Sequence, residues 1–133
     1  MQKLLAASVL SLSVGISGPA TAQKSLGDVA YITEGLIAVG IAYEISEVCN
    51  DIDARLLRGI GYLNQLRDHA RGLGYSRSEI DAYVDNKAEQ DRLEGIARGR
   101  LKAMGAAPGD EASHCAVGRD EIAKQSTIGY LLR

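Results

Sequence analysis

The spacing of apolar residues constrains the fold of this chain more than any other feature. Over long stretches they recur every three or four residues, as they do on one face of an α-helix. No run alternates apolar with polar residues over the length of a half-buried strand. Only two prolines, Pro19 and Pro108, interrupt the chain. The pattern predicts an all-α protein, a small bundle of about four to five helices.

Residues 1–22 have the features of a secretory signal peptide. Lys3 supplies the positive end, residues 4–16 form an apolar stretch, and residues 20–22 fit the small-residue cleavage rule. The alternative is an uncleaved membrane anchor, but an apolar helix of this length spans roughly 20 Å of a hydrocarbon core that is ~30 Å thick. We predict cleavage after Ala22, a periplasmic location and one helical domain over residues 23–133.

Both cysteines, Cys49 and Cys115, follow the predicted cleavage site. Two cysteines in an exported protein allow a single intramolecular pairing. The alternatives are a metal site and a catalytic thiol. His114 is the only histidine beside a cysteine, and side chains adjacent in sequence rarely share a metal because they point in different directions. We predict a structural disulfide, no metal ion or other cofactor, and a loop position for His114.

Two predicted helices make up the N-terminal half of the domain. The helix over residues 27–48 is apolar around most of its circumference, which is typical of a helix buried by neighbours on several sides. Its central apolar run is too short to cross a bilayer, so no transmembrane segment is predicted after residue 22. The helix over residues 53–71 has one apolar stripe that we expect to face the core. The stripe consists of Ile52, Leu56, Ile60, Leu63, Leu66, Ala70 and Leu73.

A capping box begins the third predicted helix. Ser76 and Glu79 are three residues apart, so each side chain can bind the backbone amide of the other. Apolar residues before and after residues 85–86 fall on different helix faces, which predicts a break there and a second helix as far as Gly105. A loop with a Pro-Gly turn follows, and a short helix is predicted after Gly118.

The chain ends on an apolar segment that contains Tyr130, Leu131 and Leu132. Such a tail either docks on its own core or binds a partner. We expect docking, and we retain the three residues as a candidate interaction segment.

Composition and motifs argue against several functions. The chain carries 15 basic and 17 acidic residues, a net charge of −2, and so lacks the positive excess that nucleic-acid binding requires. It contains no phosphate-binding loop, dinucleotide fingerprint or nucleophile elbow. No catalytic residue is predicted, and the protein is not expected to be an enzyme.

Glu44 is nevertheless an unusual carboxylate, because apolar residues of the first helix flank it. A carboxylate on an apolar surface has a raised pKa, which suits a general acid in glycoside hydrolysis. The alternatives are that Arg55 or Arg58 pairs with it, or that it lies at the edge of the buried face. The absence of Trp and Phe weakens the sugar-hydrolase hypothesis, since only Tyr could stack on a sugar.

Three stretches of the chain resemble a known family. They are GLIAVGIAYEISEVC (35–49), IDARLLRGIGYLNQLRDHARGLGYSRSEIDAYV (52–84) and HCAVGRDEIAKQSTIGYLLR (114–133). They are similar to a family of small exported proteins of Gram-negative bacteria that is classed as a domain of unknown function. The resemblance covers nearly all of the chain after the predicted cleavage site, including both cysteines. It implies a periplasmic all-helical domain and brings no activity, substrate or catalytic residue with it.

These observations favour a non-enzymatic periplasmic protein that works through protein–protein contact, for instance as an accessory subunit of an envelope complex. The first alternative is a small periplasmic chaperone that holds unfolded clients. The second is an enzyme that acts on the cell wall through Glu44.

Overall fold

The computed structural model describes residues 23–133, so the predicted signal peptide lies outside the described residues. Within this range the chain is all-α, as predicted, and contains no β-strand. Five helices have eight residues or more and a sixth is a single turn. They are α1 (Ala30–Val48), α2 (Leu56–Gly72), α3 (Arg77–Val84), α4 (Lys87–Ala103), α5 (Glu111–Lys124) and α6 (Thr127–Tyr130).

Helix α1 lies at the centre and contacts α2, α4, α5 and α6. Two of its glycines let neighbouring helices approach closely. A Cβ atom at Gly35 would overlap the Leu66 side chain of α2, and one at Gly40 would lie 3.3 Å from the Ala97 Cβ of α4. The predicted burial of this helix on several sides is therefore confirmed. It begins at Ala30 rather than at residue 27, because residues 26–28 form a 3₁₀ turn.

The capping box and the break at residues 85–86 are both confirmed. The Ser76 hydroxyl accepts a hydrogen bond from the Glu79 amide at 3.1 Å, and the Glu79 carboxylate accepts one from the Ser76 amide at 2.6 Å. Asn86 then caps α4 by accepting from the Glu89 amide at 3.1 Å. Helix α4 ends just before Gly105, whose φ of 112° lies in the left-handed region that favours glycine.

The prediction of a short helix after Gly118 is wrong, because α5 starts at Glu111 and runs through that glycine. Asp110 is the N-cap, and its carboxylate accepts a hydrogen bond from the Ser113 amide at 3.1 Å. Gly118 lies where α5 packs on the core: a Cβ there would overlap the side chains of Ile45 and Ile52. This glycine therefore permits close packing inside α5 and does not mark the start of a helix.

The C-terminal tail pairs with the residues that precede α2. The Asp53 amide donates to the Arg133 carbonyl at 2.9 Å, the Arg133 amide donates to the Asp53 carbonyl at 3.0 Å, and the Arg55 amide donates to the Leu131 carbonyl at 2.7 Å. Helix α2 consequently begins at Leu56 rather than at residue 53, because the backbone before it is extended along the tail.

Helix α6 brings the tail onto the end of α5. The Ser126 hydroxyl accepts a hydrogen bond from the Gly129 amide at 3.0 Å and also donates to the buried carboxylate of Glu121. A Cβ at Gly129 would overlap the Glu121 carbonyl, so this turn of helix lies directly on the α5 backbone. The tail is thus docked on the domain.

Candidate functional site

The two cysteines lie at disulfide-bonding distance, with Cα atoms 5.1 Å apart. Cys49 is the C-cap residue of α1 and Cys115 lies in α5, so the link joins the central helix to the C-terminal part of the bundle. Both side chains are buried, as expected of a structural pair. Among residues 23–133, no group of three or more His, Cys, Asp and Glu side chains is arranged to hold a metal ion.

His114 is buried in α5, and its predicted loop position is wrong. The error follows from placing the helix start after Gly118, since the earlier start at Glu111 carries this histidine into the helix. Its Nδ1 lies 2.7 Å from the Asp110 carbonyl oxygen, to which it can donate. The ring therefore has a local backbone partner beside the disulfide.

The candidate interaction segment is divided between core and surface. Leu131 and Leu132 are 4% and 1% exposed, and both belong to the main hydrophobic core. Tyr130 is 46% exposed, and the Arg58 guanidinium lies 4.6 Å from the centre of its ring. Only Tyr130 of the three is therefore available to another molecule on the folded surface.

Glu44 lines a cleft of about 380 Å³ between α1 and the α3–α4 segment. Leu36, Val39 and Leu93 contribute to the apolar walls of this cleft, which we call the Glu44 cleft. The Glu44 side chain is 29% exposed, so it lies at the edge of the buried face, as one of the predicted alternatives held.

The basic partner of Glu44 is neither of the two arginines predicted. Arg58 instead donates to the Tyr130 carbonyl at 3.3 Å, on the C-terminal tail. The nearest cation to Glu44 is Arg98, whose Nε lies 3.9 Å from the carboxylate, while its Nη2 donates to Glu94 at 2.7 Å. Arg98 is thus engaged mainly with Glu94, and Glu44 accepts no hydrogen bond from any residue in the range 23–133.

The other acidic groups on the rim of the cleft have close partners. Glu89 accepts a hydrogen bond from Arg92 at 2.9 Å, and that bond holds the pKa of Glu89 below its usual value. Tyr83 lines the cleft beside Glu89; burial raises the pKa of its phenol, and the Glu89 charge raises it further. Glu44 is therefore the rim carboxylate with the most unused acceptor capacity.

A second surface was not anticipated. Only Ile52, Leu66 and Ala70 of the stripe predicted to face the core are buried. Its other members on the N-terminal half of α2 are largely accessible, and an additional leucine beside them is the most exposed of all. This α2 apolar surface consists of Leu56 (73% exposed), Leu57 (85%), Ile60 (50%) and Leu63 (37%).

The helical geometry explains the discrepancy. Helix α2 packs on α1 where Leu66 meets Gly35, so its buried face is centred near Leu66. Ile60 lies six residues earlier, about 120° away around a helix of 3.6 residues per turn. The stripe was therefore wider than the face that α1 covers. Leu57 follows Leu56 directly but does not belong to the predicted stripe. An apolar residue outside the stripe was the sequence signal for additional apolar surface on α2.

A family described as "Family of unknown function (DUF5333)" matches residues 24–133. The chain belongs to the DUF5333 family. The DUF5333 match includes all six helices, both cysteines and the α2 apolar surface. No curated protein and no solved structure matches the chain. In the part of this DUF5333 protein that the structure describes, every helix is too short or too polar to cross a membrane.

Proposed function

We propose that this DUF5333 protein is exported to the periplasm and acts there as a non-enzymatic protein that binds a partner protein through the α2 apolar surface. The exposure of Leu56 and Leu57 at adjacent positions, next to Ile60, carries this proposal. Single exposed leucines are common, but contiguous apolar patches mark interaction sites. Full burial of one such side chain contributes about 1.5–3 kcal/mol, so three of them can anchor an interface.

Charge indicates the kind of partner. Arg67 and Arg71 follow Ile60 by seven and eleven residues and so lie on the same side of α2, while the helix carries a single carboxylate, Asp68. Two copies that met through α2 would bring these arginines together, which opposes self-association. The complementary partner is an amphipathic helix with an apolar stripe and acidic flanks, packed along α2.

Two observations support export. Residues 1–22 have the composition of a signal peptide, and the cysteine pair at bonding distance suits an oxidising compartment. Export is tested by sequencing the N terminus of the protein recovered from the periplasmic fraction. We expect it to begin at Gln23, and recovery of a chain with Met1 intact would contradict export without affecting the α2 surface.

The partner proposal is tested by photo-crosslinking in the native organism. A photoreactive amino acid replaces Leu57 in one variant and Leu73 in the control, since Leu73 is also exposed, at 48%, but lies at the other end of α2. We expect one protein adduct of defined mass from position 57, none from position 73, and loss of the adduct when Ile60→Glu is added.

The other outcomes identify other occupants. An adduct between two copies of this chain would show self-association, and binding to anionic lipid vesicles that is abolished by Ile60→Glu would show a membrane surface. Either result, or no adduct from position 57, contradicts the proposed partner.

A chaperone that holds unfolded clients would use the same kind of surface, and the exposed leucines favour it as the second candidate. In that case the wild-type protein suppresses aggregation of a chemically denatured client, and Ile60→Glu abolishes the suppression. Crosslinks from position 57 would then spread over many proteins instead of forming one adduct.

A further inference from the structure

We propose that the Glu44 cleft is a binding site for a small amphiphile with one positive charge, whose apolar chain lies between α1 and α4 and whose ammonium group meets the Glu44 carboxylate. This site is separate from the α2 apolar surface, and the proposal does not depend on the partner protein.

The size and walls of the cleft suit an apolar chain. Its volume of about 380 Å³ falls within the range of ~300–1,000 Å³ typical of small-molecule sites. Leu36, Val39 and Leu93 face it, and Val84, which is 42% exposed, lies at its surface. Water against such walls has few hydrogen-bonding partners, so its displacement by an apolar chain is favourable.

The charges on the rim select the head group. Three carboxylates and one guanidinium line the cleft: Glu44, Glu89, Glu94 and Arg98. Arg98 is held by Glu94 at 2.7 Å, and Glu89 is held by Arg92 at 2.9 Å, so these carboxylates are already neutralised. Glu44 has only the 3.9 Å approach of Arg98. A single cation would therefore give Glu44, the one rim carboxylate without a close partner, a charged hydrogen-bond donor.

Partial burial strengthens this preference. At 29% exposure, Glu44 is screened less by water than the surface pairs of the bundle, such as Lys87 with Asp91, whose side chains are 78% and 59% exposed. An ammonium group that donates directly to such a carboxylate is expected to add about tenfold to the affinity over a neutral head group.

The test compares three probes with the same eight-carbon chain: octylammonium, octan-1-ol and octyl sulfate. Their affinities for the full domain, in its disulfide-bonded form, are measured by titration calorimetry and by NMR shifts of residues that line the cleft. We expect octylammonium to bind about tenfold more tightly than octan-1-ol, and octyl sulfate to bind most weakly.

Three variants make the test specific. Glu44→Gln keeps the shape of the side chain and should make octylammonium and octan-1-ol bind equally. Glu47→Gln is the matched control, because Glu47 lies one turn further along α1, is exposed, and does not line the cleft. Val84→Trp should weaken all three probes by filling the cleft. Circular dichroism confirms that each variant is folded.

Four results would overturn the proposal: equal affinity of wild type for all three head groups, an ammonium preference that survives Glu44→Gln, no binding of any probe in the millimolar range, or tightest binding of octyl sulfate. Tightest binding of octyl sulfate would show that Arg98, and not Glu44, controls the site.

Discussion

Removal of the Cys49–Cys115 link is expected to cost the domain a large part of its stability. The two residues are 66 positions apart, so the link closes a long loop in the unfolded chain. In the chain-entropy description, a loop of this length restricts the unfolded state by about 15 cal/mol/K, or about 4 kcal/mol at 25 °C. Small domains have total stabilities of about 5–15 kcal/mol. The double variant Cys49→Ala/Cys115→Ala should therefore be folded but only marginally stable.

The measurement is urea unfolding followed by helical circular dichroism. Alanine is the appropriate replacement because both positions are less than 5% exposed, and serine would bury a hydroxyl without a partner. The oxidised wild type, the wild type kept reduced and the double alanine variant are compared. We expect the last two to lose about 4 kcal/mol each, and to melt at least ~10 °C below the oxidised protein.

The reduced wild type is the control that separates the covalent link from side-chain packing, since it keeps both sulfur atoms in the core. A loss of less than ~1 kcal/mol in both forms would refute the reasoning. It would mean that the C-terminal segment stays near α1 in the unfolded chain without the link. A loss confined to the alanine variant would show that the sulfur atoms stabilise by packing alone.

Four further substitutions test other parts of the fold. Gly129→Ala should lower the free energy of unfolding in urea by about 3 kcal/mol, because its Cβ overlaps a backbone carbonyl of α5 that cannot move independently. Ser76→Ala should cost about 1 kcal/mol at neutral pH. The Ser76 amide and hydroxyl lower the pKa of Glu79 below 4.5 in the folded state, so this carboxylate stabilises the fold above pH 4.5 and the contribution disappears as the pH falls through the lowered pKa. Acid titration of stability should therefore be shallower in Ser76→Ala. Gly59→Ala and Gly61→Ala lie in α2 with open space around the added methyl group. Each should raise the free energy of unfolding by about 0.5–1 kcal/mol, and the melting temperature should rise with it.

Local chemistry made the centre of the chain predictable. The Ser76–Glu79 capping box and the break before α4 depend on residues within four positions of one another, and such interactions form in the same way whatever packs against them. The helix over residues 111–124 was predicted poorly for the opposite reason. Its start depends on Asp110, one of several capping residues in that stretch. The sequence alone does not distinguish a glycine that precedes a helix from one, such as Gly118, that lies inside a helix and lets neighbouring isoleucines approach.

The sites were less predictable than the helices because they depend on which faces meet. The position of Glu44 at the edge of the buried face follows from its flanking isoleucines, but the choice of Arg98 over Arg58 depends on α4 packing beside α1 and on Arg58 being held by the tail. This ion pair joins residues that are far apart in sequence, so neither the apolar periodicity nor the spacing of the residues predicts it.

The α2 helix shows how a correct pattern can lead to a wrong position. Leu56, Ile60 and Leu63 have the spacing of a buried face, and a helix gains little from exposed apolar side chains in isolation. The chain buries Leu66 and Ala70 of the same helix in a cluster that includes Ile32 of α1, while the first three remain accessible. The apolar stripe of α2 is wider than the face that its own domain covers. Binding of another helix to the uncovered part would explain this width. Under the proposed function, the hydrophobic pattern describes the assembled state and the separate domain satisfies only part of it, so the exposed half of α2 is where the proposed partner would bind.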